Sequence, residues 1–304
     1  MRRLVLLLAL LAAGCGGSSS DDVTVALDFT PNPVHAPIYE ARGHGVKIAI
    51  RKPGSGPDSL KLVASGKVDL GVLDIQDLAI ARQQGTDLVA VAALVGRPLA
   101  ALIAQPGVAS PRALEGRTVG VSGLPSDPAF VKAIVEHDGG DASKVREVTI
   151  GFAAVSRLLT KRVDAVPAFW NAEGVALKRA GLPVKEFRVE DYGAPAYPEV
   201  VLMTSRATLD KHRDRIERAL AAINDGLEYT RAHPDDAVAK IAKAAETKDT
   251  GLVRAQLDAV LPAFAPGLKL DRDVLEQWAG FDTRVGLVTK KPDVASAFDF
   301  AARR

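Results

Sequence analysis

The sequence predicts an α/β fold of two lobes, each a mostly parallel sheet flanked by helices. Short apolar segments alternate with helical periodicity through the first two thirds of the chain, which is the pattern of βαβ units. The last third carries apolar residues at helical spacing, as in Ile216, Leu220, Ile223 and Leu227. About 280 residues remain after the first 22, a length that suits two lobes rather than one.

The first 15 residues predict a lipoprotein signal peptide. A basic start, Met1-Arg2-Arg3, precedes the apolar run Leu4–Leu11, which is too short to span a bilayer as a folded segment. Small residues then lead to Cys15, the only cysteine in the 304 residues, as a lipoprotein signal peptidase requires. We therefore expect lipidated Cys15 to hold the protein on the outer face of a bacterial cytoplasmic membrane, through a flexible tether at residues 16–22. The alternatives are an ordinary signal peptide and an uncleaved anchor.

Charge and composition argue against several kinds of partner. The chain has 39 Lys and Arg against 37 Asp and Glu, a net charge of +2, and both signs are dispersed. It has no basic block of the kind that binds nucleic acid, and no later run apolar enough for a transmembrane helix. We expect a monomer without cofactor, metal or disulfide.

The predicted elements alternate along the chain. Apolar runs between turn residues predict strands at 23–27, 46–50, within 66–72, 88–95, 99–104, within 114–121, 145–150, 163–168, 185–190 and 200–204. Helical spacing predicts helices at 60–65, 76–84, 129–137, 156–159 and 171–180, and further helices after residue 205. The strands at 99–104 and 200–204 would carry the chain across and back, so that lobe 1 is predicted as 23–100 and 202–304, and lobe 2 as 101–201.

A loop after the first strand concentrates polar and aromatic groups. Its candidates for ligand contact are Asp28, Phe29, Asn32, His35 and Tyr39. Three prolines in the same segment prevent a regular strand, so the backbone must turn there. Polar loops at the carboxyl ends of strands bind ligands in α/β sheets, which predicts a site here. The alternative is a surface loop that the prolines merely shape.

The second lobe offers candidates at two strand ends. Ser122 lies in a strand-to-helix turn whose amides would suit an anion or a carbonyl, unless Ser126 or Asp127 only caps the helix. Trp170 and Asn171 follow another strand, where a tryptophan could cover a flat ligand or belong to the core.

The approach to the last strand supplies two more candidates, Tyr197 and Glu199. An unpaired charge before an apolar strand would be costly, so Glu199 needs a partner. A cyclic amidine is one such partner, because a carboxylate meets its edge with paired hydrogen bonds. Otherwise Glu199 pairs with an arginine or faces water.

Four stretches, in the same order, resemble a family of substrate-binding proteins for thiamine pyrimidine precursors, which shares its fold with eukaryotic thiamine-pyrimidine synthases. They are Asp28-Phe29-Thr30-Pro31-Asn32 with His35-Ala36-Pro37-Ile38-Tyr39; Gly139-Gly140-Asp141 with Val148-Thr149-Ile150-Gly151-Phe152; Asp164-Ala165-Val166 with Phe169-Trp170-Asn171-Ala172-Glu173-Gly174; and Tyr192-Gly193-Ala194-Pro195-Ala196-Tyr197-Pro198-Glu199-Val200. The family commonly has tryptophan where this chain has Phe29.

The resemblance implies a type II periplasmic-binding-protein-like fold that closes on a small heteroaromatic ligand and delivers it to an ABC transporter permease. The ligand would be of the hydroxymethylpyrimidine or formylaminopyrimidine type. The resemblance further implies roles for nine residues: polar anchors at Asp28, Asn32 and Glu199; flat surfaces at Phe29, Tyr39, Trp170 and Tyr197; and hydrogen bonds at the rim from His35 and Asn171.

Other functions remain open on sequence grounds. Riboflavin precursors, aliphatic sulfonates or taurine are alternative solutes, and a ligand-sensing lipoprotein without import is an alternative role. The synthases of this fold use a histidine, a cysteine-rich motif and pyridoxal phosphate. His35 matches that histidine, but the single cysteine lies in the predicted signal, so we expect no enzyme.

Overall fold

The computed structural model describes residues 22–54, 58–124 and 126–302. The predictions of a signal peptide, of lipidated Cys15 and of nearly all of the tether lie outside these residues. Among the described residues, no helix combines the length and the apolar character needed to cross a membrane.

Two five-stranded sheets form the two lobes. The strands are β1 Asp22–Ala26, β2 Lys47–Arg51, β3 Leu70–Asp74, β4 Leu88–Val95, β5 Ala100–Ala104, β6 Thr118–Val121, β7 Arg146–Thr149, β8 Ala165–Phe169, β9 Lys185–Arg188 and β10 Val200–Ser205. Their order is β2-β1-β3-β10-β4 in the first sheet and β7-β6-β8-β5-β9 in the second.

Each sheet is mixed, with four strands in one direction and one strand against them. β10 is antiparallel to both β3 and β4, and β5 is antiparallel to both β8 and β9. The chain enters each of these two strands directly from the other lobe. The other strands of each sheet are parallel to one another, as helical crossover connections require. The predicted α/β fold of two mostly parallel sheets is confirmed.

The chain crosses between the sheets twice, from Val95 to Ala100 and from Arg188 to Val200. The predicted boundaries between lobe 1 and lobe 2 therefore differ slightly from the limits of the two sheets. Ala100 already belongs to the second sheet, and Val200 and Val201 belong to the first, because strand pairing begins at those residues.

Helices cover the sheets. They are α1 Ala36–Tyr39, α2 Ser59–Ala64, α3 Ile75–Gln83, α4 Asp127–His137, α5 Ala154–Leu159, α6 Val175–Arg179, α7 Arg206–Ala232, α8 Pro234–Ala244, α9 Thr250–Val260, α10 Arg272–Arg284 and α11 Val294–Ala297. The apolar stripe predicted at 216–227 is buried on the long α7, against the core of the first lobe. A π-helical turn, Trp170–Gly174, connects β8 to α6.

Candidate functional site

A cavity of about 470 Å³ lies between the two lobes, a volume within the usual range for small-ligand sites. It is lined by the carboxyl ends of β1, β3, β6 and β8 and by residues of the helices α2, α3, α4 and α5. Ligand sites in open α/β sheets lie in this position. Six of the predicted site residues line it: Asp28, Phe29, Asn32, Ser122, Tyr197 and Glu199.

His35 lies behind Asp28 and fixes its carboxylate. The backbone N–H of Asn32 donates to His35 Nδ1 over 3.2 Å, so the ring proton is on Nε2, which donates to Asp28 Oδ1 over 2.7 Å. Asn32 Oδ1 in turn accepts from the N–H of Val34 and closes a capping box around the short 3₁₀ turn. His35 itself is fully buried and outside the cavity lining, which corrects the predicted hydrogen bond from His35 at the rim.

An aromatic pair spans the cavity between the lobes. Phe29 of the first lobe and Phe152 of the second meet edge to face, with ring centroids 4.3 Å apart. Both rings line the cavity. Phe152 was not among the predicted site residues, although it ends one of the four stretches that carry the family resemblance.

The turn after β6 binds a carboxylate of its own chain. Asp127 Oδ2 accepts from the Ser122 hydroxyl at 2.8 Å and from the N–H groups of Gly123 and Leu124 at 2.9 and 3.1 Å. The amides that could have held an anionic ligand are therefore occupied by Asp127. The alternative considered from the sequence was a helix cap, but the Ser126 side chain makes no capping hydrogen bond and Asp127 binds the preceding turn.

The cavity is strongly acidic. The carboxylates along its wall are Asp28, Asp74, Asp77, Asp127, Glu173 and Glu199, and of the described residues only Lys61 contributes a cationic side chain to the lining. The side chain of Lys61 is exposed to solvent. Asp74 and Asp77, at the junction of β3 and α3, were not among the site residues predicted from the sequence.

Burial raises the pKa values of these acids. It raises the pKa of Asp77 to about 7, with a further contribution from the negative charge of Asp127, while hydrogen bonds from Ser126 oppose the shift. Burial and then the charge of Glu199 raise the pKa of Asp74 well above its usual range. Burial also raises the pKa of Asp127. The wall of the cavity therefore retains protons near neutral pH.

Glu199 joins the two crossings between the lobes. Its Oε2 accepts from the N–H groups of Leu99 and Ala100, at 2.8 and 2.9 Å. It therefore neither pairs with an arginine nor faces water, the two alternatives considered from the sequence. Burial raises the pKa of Glu199 to about 7, and the two amides limit that increase.

Tyr197 forms part of the floor of the cavity. Its ring is buried and stacks on Phe281 of α10, with centroids 6.4 Å apart. Burial raises the pKa of Tyr197 well above its usual range, and a hydrogen bond with Gln76 limits the shift. The phenol therefore stays protonated at neutral pH.

Three other predicted residues do not reach the cavity. The indole N–H of Trp170 donates to the Pro98 carbonyl over 3.2 Å, and Arg188 covers its ring with Cζ 4.3 Å from the centroid. Asn171 is fully buried, and its amide atoms have no hydrogen-bond partner among the described residues. Tyr39 is partly buried and packs against the core of the first lobe, and its hydroxyl has no hydrogen-bond partner among the described residues. The cavity lining therefore gives no support to the predicted ligand contacts of these three residues.

The π-helical turn explains the position of Trp170 and Asn171. A π turn holds more residues than an α turn, so it rotates the side chains relative to the α-helix that the sequence predicted. Phe169 and Glu173 line the cavity from this segment instead, and Glu173 Oε2 accepts from the N–H of Phe169 over 3.1 Å.

Comparison with known proteins gives a consistent result. The NMT1/THI5-like family matches residues 32–237. The formylaminopyrimidine-binding protein of Halalkalibacterium halodurans is 32% identical over 249 residues, covering 77% of this chain and 76% of that protein. The 4-amino-5-hydroxymethyl-2-methylpyrimidine phosphate synthase THI11 of Saccharomyces cerevisiae is 24% identical over 235 residues, covering 71% and 69%.

The fold is also found among solved structures. The alkanesulfonate-binding protein SsuA of Xanthomonas axonopodis pv. citri, bound to MOPS, has a TM-score of 0.72 at 16% identity, covering 92% of this chain and 98% of that one. At this identity the likeness establishes a shared binding-protein fold and leaves the ligand open.

Proposed function

The chain belongs to the NMT1/THI5-like family, and from that premise we propose that it is an extracytoplasmic binding protein for a thiamine pyrimidine precursor. The ligand is of the hydroxymethylpyrimidine or formylaminopyrimidine type. The protein delivers it to an ABC importer and closes its lobes on the ligand by hinge motion.

One observation carries the proposal: the cavity combines flat aromatic walls with hydrogen-bond acceptors. Phe29 and Phe152 offer ring faces and edges to a planar heterocycle, and Tyr197 closes the floor. Asp28, held by His35, and Glu199 supply carboxylates, which pair well with the amino group and ring nitrogen of an aminopyrimidine. Asn32 and Ser122 complete the proposed polar contacts.

The same cavity argues against an anionic solute such as a sulfonate or taurine. A sulfonate would lie among six acidic side chains, and exposed Lys61 is the only cationic side chain that lines the described cavity. The amides of Gly123 and Leu124, which would otherwise hold its oxygens, already bind Asp127. The sulfonate-binding relatives therefore support the fold and not the ligand.

The residues also support binding over the chemistry of the pyrimidine synthases. The resemblance to those enzymes implies pyridoxal phosphate, which needs a lysine for its aldehyde and donors for its phosphate. The only lysine lining the described cavity is exposed Lys61, and the candidate phosphate donors are occupied by Asp127. These residues do not fit the cofactor.

Membrane attachment is the remaining part of the proposal. Cys15 with its preceding apolar run supports a lipid anchor on the outer face of the cytoplasmic membrane. Such an anchor would hold the binding protein close to the permease.

Calorimetry of the purified protein with hydroxymethylpyrimidine, formylaminopyrimidine and an alkanesulfonate tests the proposed ligand. We expect at least one pyrimidine to bind and the sulfonate not to bind. Asp28→Asn should weaken pyrimidine binding, whereas Glu246→Gln, whose side chain is 86% exposed, should leave it unchanged. Binding of the sulfonate without either pyrimidine would overturn the proposal. Mass spectrometry of any co-purifying solute provides an independent check.

A further inference from the structure

We infer that the cavity selects a pyrimidine that carries a positive charge, and that Asp77 is the residue that pairs with that charge. This inference rests on the proposed function and adds a charged pyrimidine to its ligand class. It assigns Asp77, in the first turn of α3, a role in specificity.

Asp77 has a buried carboxylate oxygen without a hydrogen-bond donor among the described residues. This oxygen is Oδ1, and the side chain lines the cavity and is only 4% exposed. Ser126 hydrogen-bonds to the carboxylate through its side chain and its backbone. No arginine or lysine forms an ion pair with Asp77 in the described structure. A buried carboxylate oxygen without a donor is costly, so a donor supplied by the ligand would remove that cost.

Most of the ionisable groups around Asp77 are acids. The groups that share the cavity with Asp77, from all the elements around it, are Asp28, Asp74, Asp127, Glu173, Glu199 and the exposed Lys61. Burial raises the pKa of four of them, Asp74, Asp127, Glu173 and Glu199, and so favours their neutral form, whereas a bound cation would favour their ionised form. The cavity therefore favours a cation over an anion.

An organic cation fits better than a metal ion. Among the described residues, no three histidine, cysteine or carboxylate side chains converge as metal ligands would. Aromatic rings line the same space, and a cation over a ring face is attracted by its electrons. Aromatic walls beside carboxylates suit a planar ring with a charged substituent.

The chemistry of the substituent distinguishes the candidate ligands. A formylaminopyrimidine carries a neutral formamide and a hydroxymethylpyrimidine carries a neutral alcohol. The corresponding aminomethylpyrimidine, in which an amine replaces that alcohol, is protonated at pH 7, because an alkylamine titrates well above neutral pH, as a lysine side chain does. We therefore expect this amine to bind more tightly than the two neutral ligands.

Binding of the amine should release protons. Burial raises the pKa of Asp77 to about 7, so the free protein carries a partly protonated acid there. A bound cation stabilises the carboxylate and lowers that pKa, so the proton leaves as the ligand binds. Affinity for the amine should then increase with pH through the range around 7.

The test uses calorimetry of the full-length protein with the amine, formylamino and hydroxymethyl forms of one pyrimidine. Measurements at pH 7 in two buffers of different ionisation enthalpy count the protons released. We expect the amine to bind about tenfold or more tightly than the alcohol, and Asp77→Asn to weaken amine binding roughly ten- to hundredfold. The same variant should release fewer protons and should change binding of the alcohol little.

Controls separate a failure of the inference from a failure of the proposed function. Glu246→Gln should behave like the parent, and Asp74→Asn gives a second test if Asp77→Asn unfolds. Equal affinity for all three pyrimidines, or an equal loss for all three in Asp77→Asn, would overturn the inference and leave the proposed function standing. Failure of every pyrimidine to bind would overturn both.

Discussion

Glu199 Oε2 lies 2.8 Å from the amide nitrogen of Leu99, so a carboxylate on one crossing between the lobes binds the backbone of the other crossing. The N–H of Ala100 shares the same oxygen. The proposed closure of the lobes would act through these two crossings, and this contact joins them directly. Glu199 thus has a structural role in addition to its place in the cavity wall.

We predict that Glu199→Ala destabilises the protein and that Glu199→Gln does so much less. Alanine leaves the two amides without an acceptor, at a cost of about 2–4 kcal/mol in the free energy of unfolding. Glutamine keeps a carbonyl oxygen that can accept from both amides and removes the buried charge. Denaturant unfolding at pH 7.5 measures the difference. An alanine variant as stable as the parent would show that the hinge contact is weak.

The pyrimidine affinity of the Glu199 variants tests whether Glu199 also contacts the ligand. Following the sequence-based hypothesis that Glu199 binds the amidine edge of the ligand, we expect Glu199→Gln to weaken pyrimidine binding more than Phe29→Leu. If both variants bind equally well, Glu199 acts only at the hinge and Asp28 becomes the main anchor.

We predict that Phe152→Leu reduces pyrimidine affinity about two- to tenfold, because an aromatic contact adds about 0.5–1.5 kcal/mol beyond the apolar area it buries. Calorimetry with the pyrimidine that binds the parent protein measures the change. Phe300→Leu is the matched control, since Phe300 contacts Arg272 and Phe298 away from the cavity. An effect of equal size in the control would point to a general loss of stability instead.

We predict that His35 acts on the ligand through Asp28. His35→Ala should weaken binding, because Asp28 loses the N–H that fixes its carboxylate. Adding Asp28→Asn to that variant should then cost little more than the worse single change, the sign of coupled residues. Calorimetry of the double-mutant cycle provides the measurement, with His44→Ala as the control, since His44 pairs with Asp225 at the surface. Additive losses would mean that His35 contributes independently.

The fold could be predicted from the sequence because its signals are local. The run Leu88–Val95 is uniformly apolar and forms β4 with those limits. The loop after β1 was also predicted as a site, since three prolines exclude regular structure from a strand end. Its internal arrangement, with His35 behind Asp28, depends on a hydrogen bond that spacing alone does not reveal.

Two parts of the site could not be predicted from the sequence, and each has a physical reason. Asp74 and Asp77 match the usual preference for acids at the start of a helix, so nothing in the sequence distinguishes them from ordinary capping residues. The structure shows that Asp74 makes no capping hydrogen bond and that both acids line the cavity. Trp170 was misplaced because α and π turns share the same sequence signals and differ in the direction of their side chains.

We predict that Cys15 is the lipid anchor. In cells that express Cys15→Ser, the protein should move from the membrane fraction to the soluble fraction, because acyl chains supply most of the membrane affinity of such an anchor. Fractionation with detection of the protein measures this, and the parent chain is the control. A variant that stays in the membrane as firmly as the parent would exclude lipidation at this residue.

Asp77 also makes the stability of the ligand-free protein depend on pH. Its pKa is raised from the ordinary value of 3.8 to about 7, so between these values the folded protein keeps a proton that the unfolded chain has lost. Stability therefore falls as pH rises from about 4 to about 7, and the loss is complete above pH 7.

We predict that Asp77→Asn stabilises the ligand-free protein, and that the gain increases with pH. Asparagine cannot ionise, so the gain should be small at pH 4.5 and reach on the order of 1–4 kcal/mol at pH 8. Denaturant unfolding at both pH values measures it. Glu246→Gln, on an exposed side chain, should show no such pH dependence. A gain that is equal at both pH values would mean that packing, and not the buried charge, sets the effect.

A variant that is more stable yet binds the amine less tightly would show that this acid is retained at a cost to the fold, because the ligand needs it.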